Sequence, residues 1–303
     1  MDNLRELLNG TKTEQTVDRY IEYWNRYVEF CGSEDEAKKS ENFAAWRQHM
    51  VNVDKYAANT INVRMNSVRS VMATLSEHKI VPREIKWDFA ETKGVSPRAL
   101  LDRRRPNNRV AITAKQMRNM IGSPQPDLYE PLYCMHRALL LVLGTTGMRI
   151  GEVVRMEIDD VAQVGDNYVV RNIMGKTDIE PRMAPLSEEG YDAIRDWIHI
   201  RPVQSNYVFI SCNRTKSSDS DNILWNEGHM TASTALRVIK KYGKKIGMPH
   251  IKAHDFRRFV GTQLATKKSI RVAQKVLGHK SPETTAKYYI LDEAPMGVTN
   301  ELF

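Results

Sequence analysis

Residues 277–289 read LGHKSPETTAKYY, a Leu277-Gly278-His279 turn followed nine positions after the histidine by Tyr288 and then Tyr289. Upstream lie His254-Asp255-Phe256-Arg257, then Gly175-Lys176-Thr177, then GTTGMRIGE at 144–152, which carries Arg149 and Glu152. Two arginines, a lysine and two histidines suit the oxygens of a phosphodiester. A tyrosine placed late in the chain supplies an oxygen nucleophile. Together they make a site for cutting a phosphodiester through a covalent protein–phosphate bond, with no metal needed.

The chemistry sets three demands: in-line attack, neutralisation of the non-bridging oxygens and protonation of the leaving oxygen. Arginine meets the second, because its planar fork binds two oxygens and keeps its charge. Arg149 follows a helix-ending Gly147 and precedes a helix start, where free N–H groups also favour anions. It reads either as a phosphate ligand or as a surface arginine on a tight turn. Glu152 either holds Arg149 by an ion pair or favours the helix start. His254 and Arg257, three apart, share a face if their segment is helical; the plainer reading is a helix start with solvated charges. Arg258 beside them is a structural residue or a backbone contact. Lys176 on a hairpin turn is a general acid or a solvated lysine. His279 donates to phosphate, shuttles a proton or is an ordinary turn histidine. Of Tyr288 and Tyr289 only one is the nucleophile.

The composition bounds these readings. The 303 residues carry 45 Lys plus Arg against 37 Asp plus Glu, a formal charge of +8, which favours an anionic partner. Cys31, Cys134 and Cys212 lie far apart with no CxxC spacing, as free thiols of a reducing cytosol would. The N-terminus is charged and has no apolar signal core, and the apolar run Ala138 to Leu143 is far short of the ~20 residues that span a bilayer. The expectation is a soluble, cytoplasmic chain associated with the nucleoid and not with a membrane.

Helical periodicity predicts helices from Thr13 (Val17, Tyr20, Ile21, Trp24, Tyr27, Val28), over Glu41 to Val51, and over Asn59 to Glu77 with Arg64 and Arg69 off its apolar face. Lys93 to Arg109 reads as a linker holding Gly94, Pro97, Pro106 and the run Arg103-Arg104-Arg105, either solvated or a strap along a phosphate backbone. Thr113 and Gln116 fit a capping box. A buried helix is predicted over Pro131 to Thr146 and another from Ile150. Asn167 to Ile173 is β-rich, with a turn at Met174 to Asp178 and a return strand over Ile179 to Pro185 that its prolines confine to an edge. Helices follow at Ser187 to Arg201 and Thr231 to Ile246, separated by a polar loop from Ser211 to Gly228. The second of these carries Lys240, Lys241, Lys244 and Lys245.

In order and in gaps, the five motifs resemble the tyrosine recombinase/integrase family, by motif over roughly residues 111–292 and more loosely over the N-terminal helices. Position 258 carries arginine where many members have histidine, and Ile179-Glu180-Pro181 makes the turn after Lys176 more irregular than usual. The resemblance implies a mainly α fold with a small antiparallel β-sheet: a helical core-binding domain at 1–95, a basic linker at 96–110 and a mixed α/β catalytic domain with a tail at 111–303. It implies that Arg149, Arg257, His254 and His279 activate the scissile phosphate and that Lys176 protonates the 5′ oxygen. Tyr288, nine residues past the LGH histidine, would then form a 3′-phosphotyrosyl bond. A partner strand's 5′ hydroxyl reverses the step through a Holliday junction, with no ATP, metal or other cofactor. The implied partners are duplex DNA with an inverted-repeat core site, three further copies in a tetramer on two sites, and, in some members, an accessory or directionality protein. DNA contacts are expected from Arg64, Arg69, Arg103, Arg104, Arg105, Lys240, Lys241, Lys244, Lys245 and Arg258. With the first helix near Thr13, no arm-binding domain of the lambda type is expected. The same pocket also suits type IB topoisomerases and telomere resolvases, and a catalytically silent DNA-binding protein would keep it too. Leu302 and Phe303 are expected to bury in the assembled tetramer, so their deletion should weaken cooperative assembly on DNA in a band-shift titration. Unchanged cooperativity would count against that role.

Overall fold

The computed structural model describes residues 4–103, 111–124, 130–175, 180–214 and 223–279. The chain is mainly helical with small antiparallel sheets and divides into two compact units, Met1–Asn108 and Arg109–Phe303.

The first unit contains α1 (Leu4–Leu8), α2 (Glu14–Cys31), α3 (Glu34–Ala37), α4 (Ser40–Asn52), α5 (Ala58–Glu77) and α6 (Arg83–Glu91). The apolar stripe of α2 buries Val17, Trp24 and Tyr27. The stripe of α5 buries Ile61, Met65, Val68, Met72 and Leu75. At the centre the Tyr27 ring lies 5.0 Å from Trp46 and 5.7 Å from Phe43, and Phe43 stacks on Phe89 at 4.6 Å. Offset and edge contacts of this kind add to simple area burial. Helices α1 and α6 were not anticipated: each is short, and α6 fully buries a single side chain, Phe89.

The chain after α6 is fastened back to this unit. Asn62 donates to Val95 O at 2.9 Å and accepts from Val95 N at 2.8 Å, while Arg47 donates to Lys93 O at 2.8 Å. Arg69 donates to Phe89 O at 3.0 Å and also to Thr92 O. Arg103, in a 3-10 turn at Leu101–Arg103, donates to Val51 O. Two arginines expected on DNA thus serve main-chain carbonyls of their own unit. Arg64 stacks over Tyr56, 4.0 Å from the ring centre. Arg104 and Arg105 lie outside the described residues.

The second unit is built around α8 (Glu130–Thr146), whose Ala138 to Leu143 are all buried. Before it stands α7 (Ala114–Ile121), opened by a capping box between Thr113 and Gln116. After it come α9 (Ile150–Val153), β1 (Val161–Val164), β2 (Asn167–Ile173) and β3 (Arg182–Leu186). These strands form an antiparallel sheet in the order β1-β2-β3, so β3 with Pro185 is at an edge. Val170 pairs with Ala184 and Ile173 with Arg182; the ladder is irregular between them, where Asn172 takes a φ of 53°.

Helix α10 (Glu188–Ile200) packs on α8, and its Trp197 is fully buried and donates to Val208 O at 2.7 Å. The stretch read as a polar loop from Ser211 to Gly228 holds instead the strands β4 (Ile210–Arg214) and β5 (Ile223–His229), paired antiparallel. One face of this ribbon is covered: Trp225 lies 5.5 Å from Trp197, while Leu224, Asn226 and Glu227 are exposed. Polar residues on the open face hid the alternation. The unit closes with α11 (Ala232–Lys245), α12 (Ala253–Lys267) and α13 (Ile270–Leu277). No helix among the described residues is long and apolar enough to cross a membrane.

Trp197 joins α10, the β4–β5 ribbon and Val208 through one ring. Trp197→Ala should therefore cost about 3–5 kcal/mol, read as a lowered urea midpoint for unfolding of the second unit. An unchanged midpoint would contradict this packing.

Candidate active site

Arg257 lies on the first turns of α12 and is 1% exposed. Its Nη1 donates to Gly147 O at 2.8 Å, and its Nη2 donates to Leu277 O. One buried guanidinium thereby ties the segment before Arg149 to the segment before His279. A buried charge without such partners would be strongly disfavoured. Gly147 has a φ of 64°, and a Cβ there would lie 2.8 Å from Leu277 Cδ2 and 3.1 Å from Val260 Cβ. The glycine is needed for both its backbone angle and its closeness to α12 and α13.

Arg149 is the residue immediately before α9. Its side chain is 46% exposed, and its Nη1 pairs with Glu152 Oε1 at 2.7 Å. Glu152 is 3% exposed in its side chain and accepts the Arg149 backbone N–H through Oε2 at 2.8 Å. The same Oε2 accepts from Arg182 Nη2 at 2.7 Å. Arg182 Nη1 also donates to Val276 O at 3.2 Å.

Arg182 was not among the residues picked from the sequence. A signal existed: in Arg182-Met183-Ala184-Pro185-Leu186 the alternate positions 184 and 186 are buried, so 182 shares the inward face. An arginine on that face requires partners.

His279 follows Gly278, whose φ of 65° turns the chain out of α13. A Cβ on Gly278 would lie 2.5 Å from Arg182 Cδ. The backbone of His279 is held on both sides: its N–H donates to Gln274 O at 3.1 Å, and its carbonyl accepts from Gln274 Nε2 at 3.1 Å. The pKa of its imidazole is pushed down to about 4 by burial first and then by Arg257, Arg149, His254 and Arg182. His254, exposed on the first turn of α12, is also lowered, by crowding against the protein and by Arg258, Arg257 and Arg149, with Asp255 opposing. Asp255 is buried, caps α12 by accepting from Lys252 N at 2.9 Å, and pairs with Arg258 at 3.1 Å.

Arg149, His254, Arg257 and His279 are therefore gathered, with Glu152 and Arg182 beneath them. Positive charge held near two neutral imidazoles suits an anion with a proton to exchange. Lys176, Tyr288 and Tyr289 lie outside the described residues. Among the described residues the last pair of the β2–β3 ladder is Ile173 and Arg182. Lys240, Lys241, Lys244 and Lys245 are exposed on α11. Among the described residues no three His, Cys, Asp or Glu side chains gather as a metal site would need.

The phage integrase family model matches residues 111–294, the whole span that supplies this cluster. The chain belongs to the phage integrase family. Its curated relatives include "Tyrosine recombinase XerA" of Pyrococcus horikoshii, 28% identical over 153 residues, covering 50% of this chain and 49% of that protein. "Tyrosine recombinase XerC" of Actinobacillus pleuropneumoniae is 25% identical over 214 residues, covering 69% and 62%. The integrase-family chain thus spans about half the length of several curated relatives it matches. Among solved structures, the Tn1549 transposon integrase in complex with circular intermediate DNA gives a TM-score of 0.64 at 19% identity, covering 98% of this chain and 97% of that one. A lambda integrase dimer bound to a core site gives 0.64 at 14% identity, covering 97% and 95%. These likenesses establish the fold.

The His279 shift has a consequence for stability. With a folded pKa near 4 against an ordinary 6.5, the unfolded chain takes up the proton first as pH falls. The contribution of His279 is complete above about pH 6.5 and is lost as pH falls towards 4. Its ring resonances should titrate near pH 4, and His279→Gln should flatten the fall in melting temperature over that window. A midpoint near 6.5 would show that the ring is neither buried as described nor crowded by these cations.

Proposed function

We propose that this protein is a tyrosine-type site-specific DNA recombinase that cleaves and rejoins duplex DNA through a 3′-phosphotyrosyl intermediate. The observation carrying the reading is that buried Arg257 binds Gly147 O and Leu277 O, drawing Arg149 and His279 to one place. Family membership over residues 111–294 supports it.

In this reading Arg149 and Arg257 neutralise the non-bridging oxygens of the scissile phosphate. Tyr288 Oη attacks phosphorus in line and the bond to the 5′ oxygen breaks. Lys176 supplies the proton that the leaving 5′ oxygen takes up. A neutral imidazole, His254 or His279, is available for the phenol proton, and an anion bound among the cations raises the affinity of both rings for it. The bond energy is retained in the phosphotyrosine, so a free 5′ hydroxyl from a second duplex reverses the step. Exchange in pairs through a Holliday junction, in a tetramer on two inverted-repeat sites, completes the reaction.

Glu152 holds Arg149, and Arg258 supports Asp255 at the head of α12. The exposed lysines 240, 241, 244 and 245 offer contacts to the phosphate backbone, as do Arg64, Arg104 and Arg105, while Arg69 and Arg103 are engaged within their own unit. The relatives named above, two tyrosine recombinases and two integrases solved on DNA, favour the same reading.

The test is a nicked suicide duplex carrying the inverted repeat that the protein selects from a random-sequence library. Wild type should give a denaturant-resistant adduct without added metal, Tyr288→Phe should give none, and Tyr289→Phe should retain it. Loss only in Tyr289→Phe would move the nucleophile by one residue. Absence of any adduct on bound DNA would favour a silent binding protein.

A further inference from the structure

We infer that Arg182 is a positioning residue of this site: from the edge strand β3 it locks the Arg149-bearing turn to the His279-bearing turn. The inference rests on the recombinase reading above. Arg182 is 14% exposed in its side chain, and its two terminal nitrogens have different targets. Nη2 binds Glu152 Oε2 at 2.7 Å, and Nη1 binds Val276 O at 3.2 Å. Glu152 in turn holds the backbone N–H and the guanidinium of Arg149. Val276 O belongs to the last turn of α13, where the helix dipole favours a cation. Gly278, between that turn and His279, packs so closely on the Arg182 side chain that no Cβ fits.

The segments joined by Arg182 are the ones that Arg257 joins from the other side. Arg257 spans Gly147 O and Leu277 O; Arg182 spans Glu152 and Val276 O. Two ties between the same two segments remove the rotation that one would allow. The backbone of Arg182 is also in register with Ile173 of β2, which sets the place of its side chain on the sheet. One guanidinium therefore references the Arg149 turn and the His279 turn to each other. Lysine has the charge but only one nitrogen, so it cannot span both acceptors with the same geometry.

The experiment uses the full-length chain on the suicide duplex described above, with the rate of adduct formation expressed per DNA-bound protein. Arg182→Gln should slow it about 100-fold, the order expected for a misplacement of about 1 Å. Arg182→Lys should recover only part of that loss, and DNA affinity should stay within about threefold of wild type, because the lost interaction acts in the chemical step. In a Glu152→Gln background the further loss from Arg182→Gln should be under about threefold, since the two residues act as one unit. The acid limb of the pH–rate profile should move upward in Arg182→Gln, as one cation beside His279 is removed.

Rates within about threefold of wild type for both variants would overturn the inference. So would a loss fully additive with Glu152→Gln, or failure of both variants to bind DNA, which would make the residue merely structural. If Arg182→Gln alone fails to bind, Arg182→Lys decides on the same criterion. An adduct absent from wild type would overturn the recombinase reading itself, and the inference with it.

Discussion

The second unit depends on a cation placed where water cannot solvate it. Arg257 is almost wholly enclosed, and it is tolerated there because carbonyls from two distant stretches of chain turn inward to meet it. Those stretches are ones whose glycines permit the required backbone angles. The charge thus dictates the fold around it: Gly147 must turn, α13 must end where it does, and α12 must approach both. Structural need and site geometry are here the same requirement, because Arg149 and His279 follow the two acceptors by two residues each.

Glu152 performs the complementary task. It is a buried anion between Arg149 and Arg182, and it keeps the more exposed of the two from swinging into solvent. A single carboxylate facing two guanidiniums leaves the cluster with surplus positive charge, which adds to burial in lowering the proton affinity of both imidazoles. The arrangement is matched to an anionic guest. Its electrostatics follow from burial and charge count, without any unusual side chain.

Much of this was legible because glycine and charge act as local signals. Gly147 marked a helix end and Gly278 a turn, and the segment of His254 and Arg257, read as sharing a face if helical, is the start of α12. The alternation in β2 and the apolar core of α8 were equally plain. Arg182 was missed because an arginine between two prolines on an edge strand looks solvated until the burial of Ala184 and Leu186 shows which way it faces. The β4–β5 ribbon was missed because only one face is covered, and Asn213, Asn226 and Gly228 resemble loop residues. The self-contained roles of Arg69 and Arg103 could not be read at all, since their acceptors are main-chain oxygens 20 to 52 residues away in sequence.

Three of the acceptors in these arginine ties, Gly147 O, Leu277 O and Val276 O, are backbone atoms. Every amino acid carries that oxygen, so at Val276 and Leu277 substitution does not by itself delete the bond as it would for a side-chain partner, whereas Gly147 is fixed by its backbone angle. Mutational drift can therefore replace most of the surrounding residues while the cationic framework persists. Main-chain acceptors of this kind are compatible with the low identity, 28% with a XerA relative and 14% with a lambda integrase of like fold. Evolutionary tolerance of this kind is a property of the main chain, and it leaves the outer surface free to acquire new partners.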